Sequence, residues 1–342
     1  MMENVMDAKI GVVGGGSWGT ALANLLAVKG YPIDLWVYEP EVRASIETRR
    51  ENEWFLPGVT LSDNLTATND LERVAADRDL LLIVVPSHVM RETGQKMAGM
   101  VADRTIVATA SKGIENVTHL TMSGVLADTL TGIRPERLAV LSGPSFAKEV
   151  ARQAPTAVTA ASPSPETAQT VQKVFATPAF RVYTSEDVIG VELGGAVKNV
   201  IAIAAGIIDG LGLGLNTRAA LITRGLTEIR RLGVKMGANP RSFTGLAGIG
   251  DLILTCTGDL SRNHAVGRKI GEGMTLTEIL ADMRMVAEGV KTAKSVYNLS
   301  RKLGVEMPIS HEIYHVLYDE ASPSGALKRL MTRDLKDELD ER

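Results

Sequence analysis

The chain has 342 residues, 45% hydrophobic and 23% charged, enough for two hydrophobic cores and unlike a low-complexity or disordered sequence. A formal net charge of −3 gives no general attraction to nucleic acid or to an anionic membrane, so any anionic ligand must be gripped by local basic groups. Cys256 is the single cysteine, which excludes an internal disulfide and a cysteine-based zinc cluster.

The opening MMENVMDAKIGVV lacks the basic block and apolar block of a signal peptide, so the expected compartment is the cytoplasm. Through residue 188, short β-rich runs alternate with helical patterns. Strands are expected over 9–14, 33–38, 79–85, 104–110, 137–142, 156–161 and 180–184. Most are near-continuous apolar stretches, as in strands covered by helices on both faces, and their alternation with helices predicts βαβ units in a largely parallel sheet. From Gly190 onward helices are expected over 190–208, 217–236, 243–256, 261–271, 275–282, 287–303 and 309–318, punctuated by GANP at 237–240 and by Pro308. The stretch Leu193 to Ile208 is the most apolar, but Lys198 and several glycines interrupt it, so no integral membrane span is expected. The tail KRLMTRDLKDELDER should form a solvated helix or fray.

Gly14-Gly15-Gly16-Ser17-Trp18-Gly19 satisfies G-x-G-x-x-G directly after the first strand and directly before a helical run. Gly14 permits the tight turn, Gly16 lets the backbone approach a pyrophosphate, and Gly19 allows close helix–strand packing. The pyrophosphate would sit on free amides at the helix N-terminus. Glu39 stands twenty positions beyond Gly19 at the end of the second strand, placed to accept hydrogen bonds from a ribose 2′-hydroxyl and to repel a 2′-phosphate. Arg43 would partly offset that repulsion, so NAD is favoured and NADP stays open; a solvated surface glutamate is the ordinary alternative. These features predict an α/β chain, with a Rossmann-type dinucleotide-binding domain over 1–189 and an all-α substrate domain over 190–342.

Ligands of open α/β sheets bind outside the carboxyl ends of the strands. Pro86-Ser87-His88, Ser111-Lys112-Gly113 and Ser142-Gly143-Pro144-Ser145 fall there. Ordinary turn chemistry explains the prolines and glycines. Lys112 would add an ammonium suited to a substrate oxygen or phosphate. In the helical half, Lys198 is the only ionisable side chain between Leu193 and Ile208. An unpaired ammonium there is expensive and its pKa falls with desolvation, which suits a general acid or base; an amine snorkelling to water is an equal alternative. Asn199 beside it is placed to orient an amine or a hydroxyl. Asp251 and Thr255, four apart, share a helix face, and an acid there would orient Lys198 or hold a hydroxyl. Ser261-Arg262-Asn263 opens a helix with hydroxyl, guanidinium, amide and backbone N–H groups, a phosphate site or an ordinary helix cap.

Taken together, GGGSWGTALA, NEWFLPG, VVPSH, SKGIE, SGPSFAKE, GVELGGAVKNVIAIAAGIIDGLGLG, TRAALITRGL, GLAGIGDLILTCTGDLSRN and VAEGVKT closely resemble bacterial NAD(P)-dependent glycerol-3-phosphate dehydrogenases, from Lys9 to about Tyr318. The resemblance implies a homodimer interconverting glycerol 3-phosphate and dihydroxyacetone phosphate for glycerophospholipid synthesis. It implies that Ser17, Trp18, Ala147, Arg262, Val286 and Glu288 contact the dinucleotide. It also implies that Lys112, Gly143, Ser145, Lys198, Asp251, Ser261, Arg262 and Asn263 contact the substrate, with Lys198 the proton acceptor. Tyr38 departs from the arginine or histidine that members often carry near the adenosine 2′ position.

His311-Glu312-Ile313-Tyr314-His315 is a literal H-E-x-x-H, the zinc-binding helix of many metalloproteases, but the EIYHVLY spacing is that of a packing helix and no metal is expected. Two further readings keep the nucleotide domain. One is a β-hydroxyacid dehydrogenase in which Arg262 binds a carboxylate; the other is a non-catalytic sensor of NADH, which leaves Lys198 and Ser261-Arg262-Asn263 unexplained.

Overall fold

The computed structural model describes residues 8–283 and 287–338. Among these, eight strands form one sheet: β1 (Ile10–Val13), β2 (Ile33–Trp36), β3 (Leu65–Thr68), β4 (Leu80–Ile83), β5 (Ile106–Thr109), β6 (Leu138–Ser142), β7 (Thr156–Ala161) and β8 (Phe180–Ser185). Between them run α1 (Ser17–Val28), α2 (Pro40–Arg49), α3 (Leu71–Ala75), α4 (Met90–Met97), α5 (Met122–Thr129), α6 (Ala147–Ala151) and α7 (Pro165–Phe175). The spatial order is β3-β2-β1-β4-β5-β6-β7-β8, so strand order reverses beside β1, which pairs in parallel with both β2 and β4. That reversal opens a crevice at the carboxyl ends of β1 and β4, where the chain places its glycine loop.

The apolar runs are continuous because both sheet faces are covered. Leu80 and Leu82 belong to one buried cluster with Ile10, Val12 and Leu35, whereas Leu81 and Ile83 belong to another with Val13, Val107 and Leu126. Two features differ from the sequence expectation. Strand β3 was not anticipated: LTAT is four residues long, lacks an apolar run, and is recruited by pairing Ile33↔Leu65 through Trp36↔Thr68. Strand β7 runs antiparallel to β6, and β8 follows β7 in parallel. The only helix between β6 and β7 is the five-residue α6, too short to carry the chain back across a sheet face for a parallel return.

The chain divides into two compact units, Met1–Lys112 with Leu120–Glu192, and Gly113–His119 with Leu193–Arg342. The second is built from the greater part of α8 (Val188–Gly210), from Leu193 onward, with α9 (Gly214–Lys235), α10 (Asp251–Thr257), α11 (Arg262–Gly271), α12 (Leu276–Ala281), α13 (Glu288–Leu303), α14 (Pro308–Tyr318) and α15 (Pro323–Met331). Helix α8, 23 residues long, is by length and composition alone long and apolar enough to cross a membrane, but its most apolar window is wholly buried within the protein's own fold, as in the core helix of a soluble protein. Backbone packs on backbone there: a Cβ added to Gly206 would lie 2.0 Å from the His264 carbonyl oxygen, and one on Gly267 2.0 Å from that of Ile203. The single helix expected over 243–256 is broken. A π-helical turn at Leu246–Gly250, with Gly248 at φ −94° and ψ −105°, separates a short 3₁₀ turn from α10. Among the described residues the tail is helical to Met331; beyond it, Lys336 reaches Glu306 at 3.0 Å.

Glu228, buried in α9, accepts from the backbone N–H groups of Ile309 and Ser310 at 2.6 and 3.0 Å and from the Ser310 hydroxyl at 2.9 Å, closing the first turn of α14. Desolvation pushes this carboxyl up from its usual 4.5 to about 7, against the pull of those donors and of Arg231. Folding therefore favours the protonated form: this contribution is complete below pH 4.5 and is lost as pH rises through 7. Urea unfolding of wild type against Glu228→Gln, which cannot ionise, should show the stability difference shifting against wild type across that window; parallel curves would remove Glu228 as the titrating group.

Candidate functional site

In the sheet unit, the residues singled out by sequence collect along the carboxyl edge of the strands. The glycine loop leaves β1 with Gly14 at φ +125°, a left-handed value that favours glycine, and a Cβ there would meet the Val84 carbonyl oxygen at 2.2 Å. A Cβ on Gly19 would lie 1.9 Å from the Gly14 carbonyl oxygen. Around Gly16 the situation is reversed, since nothing lies within 4 Å of an added Cβ. Gly16 is the N-cap of α1, has no side-chain cap, and no acidic residue sits in the first turn, which suits an anion at that helix end. Ser17 donates its hydroxyl to the Phe55 carbonyl, and Trp18 packs half-buried on the core.

Glu39 is half-buried at the N-cap of α2, just past β2. Arg43 pairs with Glu47 at 2.9 Å, and Tyr38 is exposed, edge-on to Trp36. Hydrogen bonds knit the neighbouring strand ends together. The Val84 N–H donates to the Val13 carbonyl at 2.8 Å and the Ser111 hydroxyl to the Val85 carbonyl at 2.6 Å, beside the exposed Pro86. The Lys112 ammonium donates to the Gly143 carbonyl at 3.3 Å, and the Ser145 hydroxyl to the same oxygen at 2.9 Å. Gly143 takes φ +148° and has no room for a side chain, because its Cβ would approach Val158 Cα at 2.9 Å. Ala147 opens α6 beside this group.

In the helical unit, Lys198 is only 5% exposed. Its ammonium donates to the Asp251 carboxylate and, at 2.8 Å, to the Thr255 hydroxyl, which in turn donates to the Asp251 backbone carbonyl at 2.6 Å. The amine is thus paired, not the lone ammonium that the α8 composition by itself suggests. Cys256 follows in the same buried patch, and desolvation pushes its thiol up to about 12, so it is not a nucleophile at neutral pH. Asn199 accepts through Oδ1 from Asn263 Nδ2 at 2.9 Å, while Asn263 Oδ1 accepts from the Gly289 N–H at 2.9 Å. Asn263 therefore ties α8, α11 and α13 together. Ser261 caps α11 by accepting from the His264 N–H at 3.2 Å. Arg262 projects from the first turn of α11; desolvation lowers its pKa and the Glu288 carboxylate raises it. Val286 lies outside the described residues.

The H-E-x-x-H residues are engaged separately. His311 bonds the Ser300 hydroxyl at 2.8 Å, Glu312 pairs with Arg329, and His315 with Asp319 at 2.7 Å. The ring of Tyr297 lies edge-on to both histidines and stacked on Tyr314. Among the described residues, no group of three or more His, Cys, Asp or Glu side chains is arranged to hold a metal.

The family profile described as the NAD-dependent glycerol-3-phosphate dehydrogenase N-terminus matches residues 9–168, and that of the C-terminus matches 187–328. The chain belongs to the NAD-dependent glycerol-3-phosphate dehydrogenase family. It is 57% identical over 331 residues to a glycerol-3-phosphate dehydrogenase [NAD(P)+] of Syntrophobacter fumaroxidans, covering 97% of each chain. It is 56% identical to that of Geobacter sulfurreducens, covering 97% of this chain and 99% of the relative. A crystal structure of glycerol-3-phosphate dehydrogenase from Coxiella burnetii superposes with a TM-score of 0.92 at 40% identity, covering 96% of this chain and 100% of that one.

Sequence reasoning passed over Asn52 and Thr20, both buried against the glycine loop, and the cluster in which Asp209 meets Arg218 and His264, each at 2.8 Å. The link from Asn52 of NEWFLPG to the glycine loop has no local signature, because the acceptors of its amide nitrogen are more than thirty positions away. The Lys198–Asp251 pair makes a stability prediction. Lys198→Met removes the cation facing a buried carboxylate and should cost about 3–5 kcal/mol in urea unfolding, much of it recovered in Lys198→Met/Asp251→Leu. Equal stability of wild type and Lys198→Met would show that the pair contributes nothing to the fold.

Proposed function

We propose that the chain is an NAD(P)-dependent glycerol-3-phosphate dehydrogenase, interconverting sn-glycerol 3-phosphate and dihydroxyacetone phosphate. The observation that carries the reading is the buried ammonium of Lys198, held by Asp251 and Thr255 in a member of this family. When bound, the nicotinamide supplies the hydride acceptor or donor. The glycine loop fits a dinucleotide by its open Gly16 face and uncapped helix start, and within the sheet unit Ser17, Trp18, Glu39, Pro86, Lys112 and Ala147 complete that site.

Lys198 acts as general acid and base at the substrate C2 oxygen, taking the hydroxyl proton in the oxidative direction and returning it in the reductive one. Asp251 keeps the amine oriented and balances its charge, and Thr255 fixes the geometry from one helical turn further on. Arg262, with the Ser261 hydroxyl and the N–H groups that begin α11, grips the phosphate. Asn263 and Asn199 hold that helix start against α8. Lys112, held with Ser145 on the Gly143 carbonyl, offers an ammonium suited to a substrate oxygen or phosphate. Glu39 favours NAD over NADP by repelling a 2′-phosphate, and Arg43, already paired with Glu47, offsets this little. Under the same reading the enzyme works in the cytoplasm as a homodimer.

The test is oxidation of NADH and of NADPH with dihydroxyacetone phosphate, beside unphosphorylated dihydroxyacetone. Turnover should require the phosphate and be faster with NADH at limiting dinucleotide; equal rates on both ketones would remove the phosphate site. Lys198→Ala should lower kcat by several orders of magnitude while the dinucleotide Kd stays near wild type, and retained turnover would refute the general-base role. Arg262→Ala should raise KM for dihydroxyacetone phosphate at least tenfold, whereas an unchanged KM would take Arg262 out of the phosphate site.

A further inference from the structure

One side chain outside every role assigned above holds the glycine loop. Asn52 follows α2 and is completely buried. Its Nδ2 donates to the Gly15 carbonyl at 2.8 Å and to the Thr20 Oγ1 at 2.8 Å. Thr20 Oγ1 in turn donates to the same Gly15 carbonyl at 3.1 Å, so one loop oxygen receives two donors. Asn52 is itself braced: its Oδ1 accepts from the Phe55 N–H at 3.1 Å, and its backbone carbonyl from the Leu56 N–H at 2.9 Å. Ser17 reaches the same turn through the Phe55 carbonyl. Residues 52–56 therefore form a strap tied to the glycine loop at both Gly15 and Ser17.

The peptide joining Gly15 to Gly16 is planar and trans, so its carbonyl and its N–H point in opposite directions. Two donors that draw the Gly15 carbonyl inward turn the Gly16 N–H outward, at a residue around whose Cβ position no atom lies within 4 Å. Glycine makes this peptide intrinsically free to rotate, and a freely rotating loop would lose conformational entropy on gripping an anion. A side-chain amide suits the task because it supplies two donors without charge. Aspartate would set a buried carboxylate oxygen against two oxygens, and alanine would leave the Gly15 carbonyl to Thr20 alone.

We propose that Asn52 is a positioning residue for dinucleotide binding: with the Thr20 hydroxyl it sets the Gly15–Gly16 peptide so that the loop N–H groups meet the pyrophosphate. This rests on the reading of Gly14–Gly19 as the dinucleotide loop. The experiment uses the full-length protein and the variants Asn52→Asp, Asn52→Ala and Thr20→Val, the last of which removes the Gly15 carbonyl's second donor and one acceptor of Asn52 while leaving residues 52–56 unaltered. Fluorescence titration gives the NADH and NADPH Kd, steady-state assays give kcat and KM for dihydroxyacetone phosphate at saturating dinucleotide, and thermal melts report folding. Asn52→Asp should bind the preferred dinucleotide at least tenfold more weakly, and Asn52→Ala and Thr20→Val at least threefold. At saturating dinucleotide, kcat and the substrate KM should stay within twofold of wild type. A purely structural asparagine would lower Tm and leave those affinities unchanged well below it, which overturns the proposal. Parallel loss of kcat, substrate KM and dinucleotide affinity also overturns it. If the Asn52 variants do not fold, Thr20→Val decides alone. Failure of wild type to bind either dinucleotide removes the loop reading and the proposal with it; wild-type binding with unaltered variants removes the proposal only.

Discussion

A charged amine survives in the middle of an apolar helix because a carboxylate and a hydroxyl meet it there. Burying either ion alone would cost several kcal/mol, so Lys198 and Asp251 are tolerable only if α10 delivers its first residue close to α8. Close backbone packing makes that delivery possible. A Cβ on Gly194 would strike the Ala247 carbonyl oxygen at 2.4 Å, and one on Gly248 the Phe243 carbonyl oxygen at 2.2 Å. The π-helical turn before α10 is thus pressed against α8, and Asp251 emerges from it in register with Lys198. The ion pair and the glycines beneath it form one unit, since larger residues would part the helices and strand both charges.

The two compact units prepare for ligands by different physical means. In the sheet unit the polar groups are mostly backbone: a helix start without a side-chain cap, a loop whose Gly16 has open space before it, and strand ends joined by short hydrogen bonds. In the helical unit they are side chains fixed by one another, as in the Asn199–Asn263–Gly289 chain that spans three helices. Backbone donors suit a group common to many ligands, such as a pyrophosphate. Interlocked side chains suit a particular small substrate, because their rotamers are settled before it arrives.

Full or partial burial of an ionisable group does not by itself mark chemistry in this protein. Glu192 is buried with its carboxyl pushed up by desolvation, yet it accepts from the N–H and hydroxyl of Ser123 at the start of α5. Glu228 does the same for α14. Lys29, its pKa lowered by desolvation, donates to the carbonyls of Lys173, Val174 and Ala176 at the end of α7. Each satisfies helix-end groups that would otherwise be stranded. Lys198 differs because it meets the side chains of Asp251 and Thr255 on a separate helix.

Sequence alone determined those features that depend on near neighbours along the chain. The glycine loop, the succession of strands then helices, and the starts of α11 and α14 followed from turn residues, caps and periodicity, as did the interest of Lys198, an isolated charge in apolar surroundings. Tertiary structure decided what depends on distant partners. It recruited LTAT as an edge strand, reversed β7, buried a helix long enough to span a bilayer, and joined Asn52 to Gly15 across thirty-seven positions and Lys198 to Asp251 across fifty-three. The physical reason is range. A cap or a repeat is written within a few residues, whereas the partner of a buried polar group is set by which segments pack together, and no local pattern carries that information.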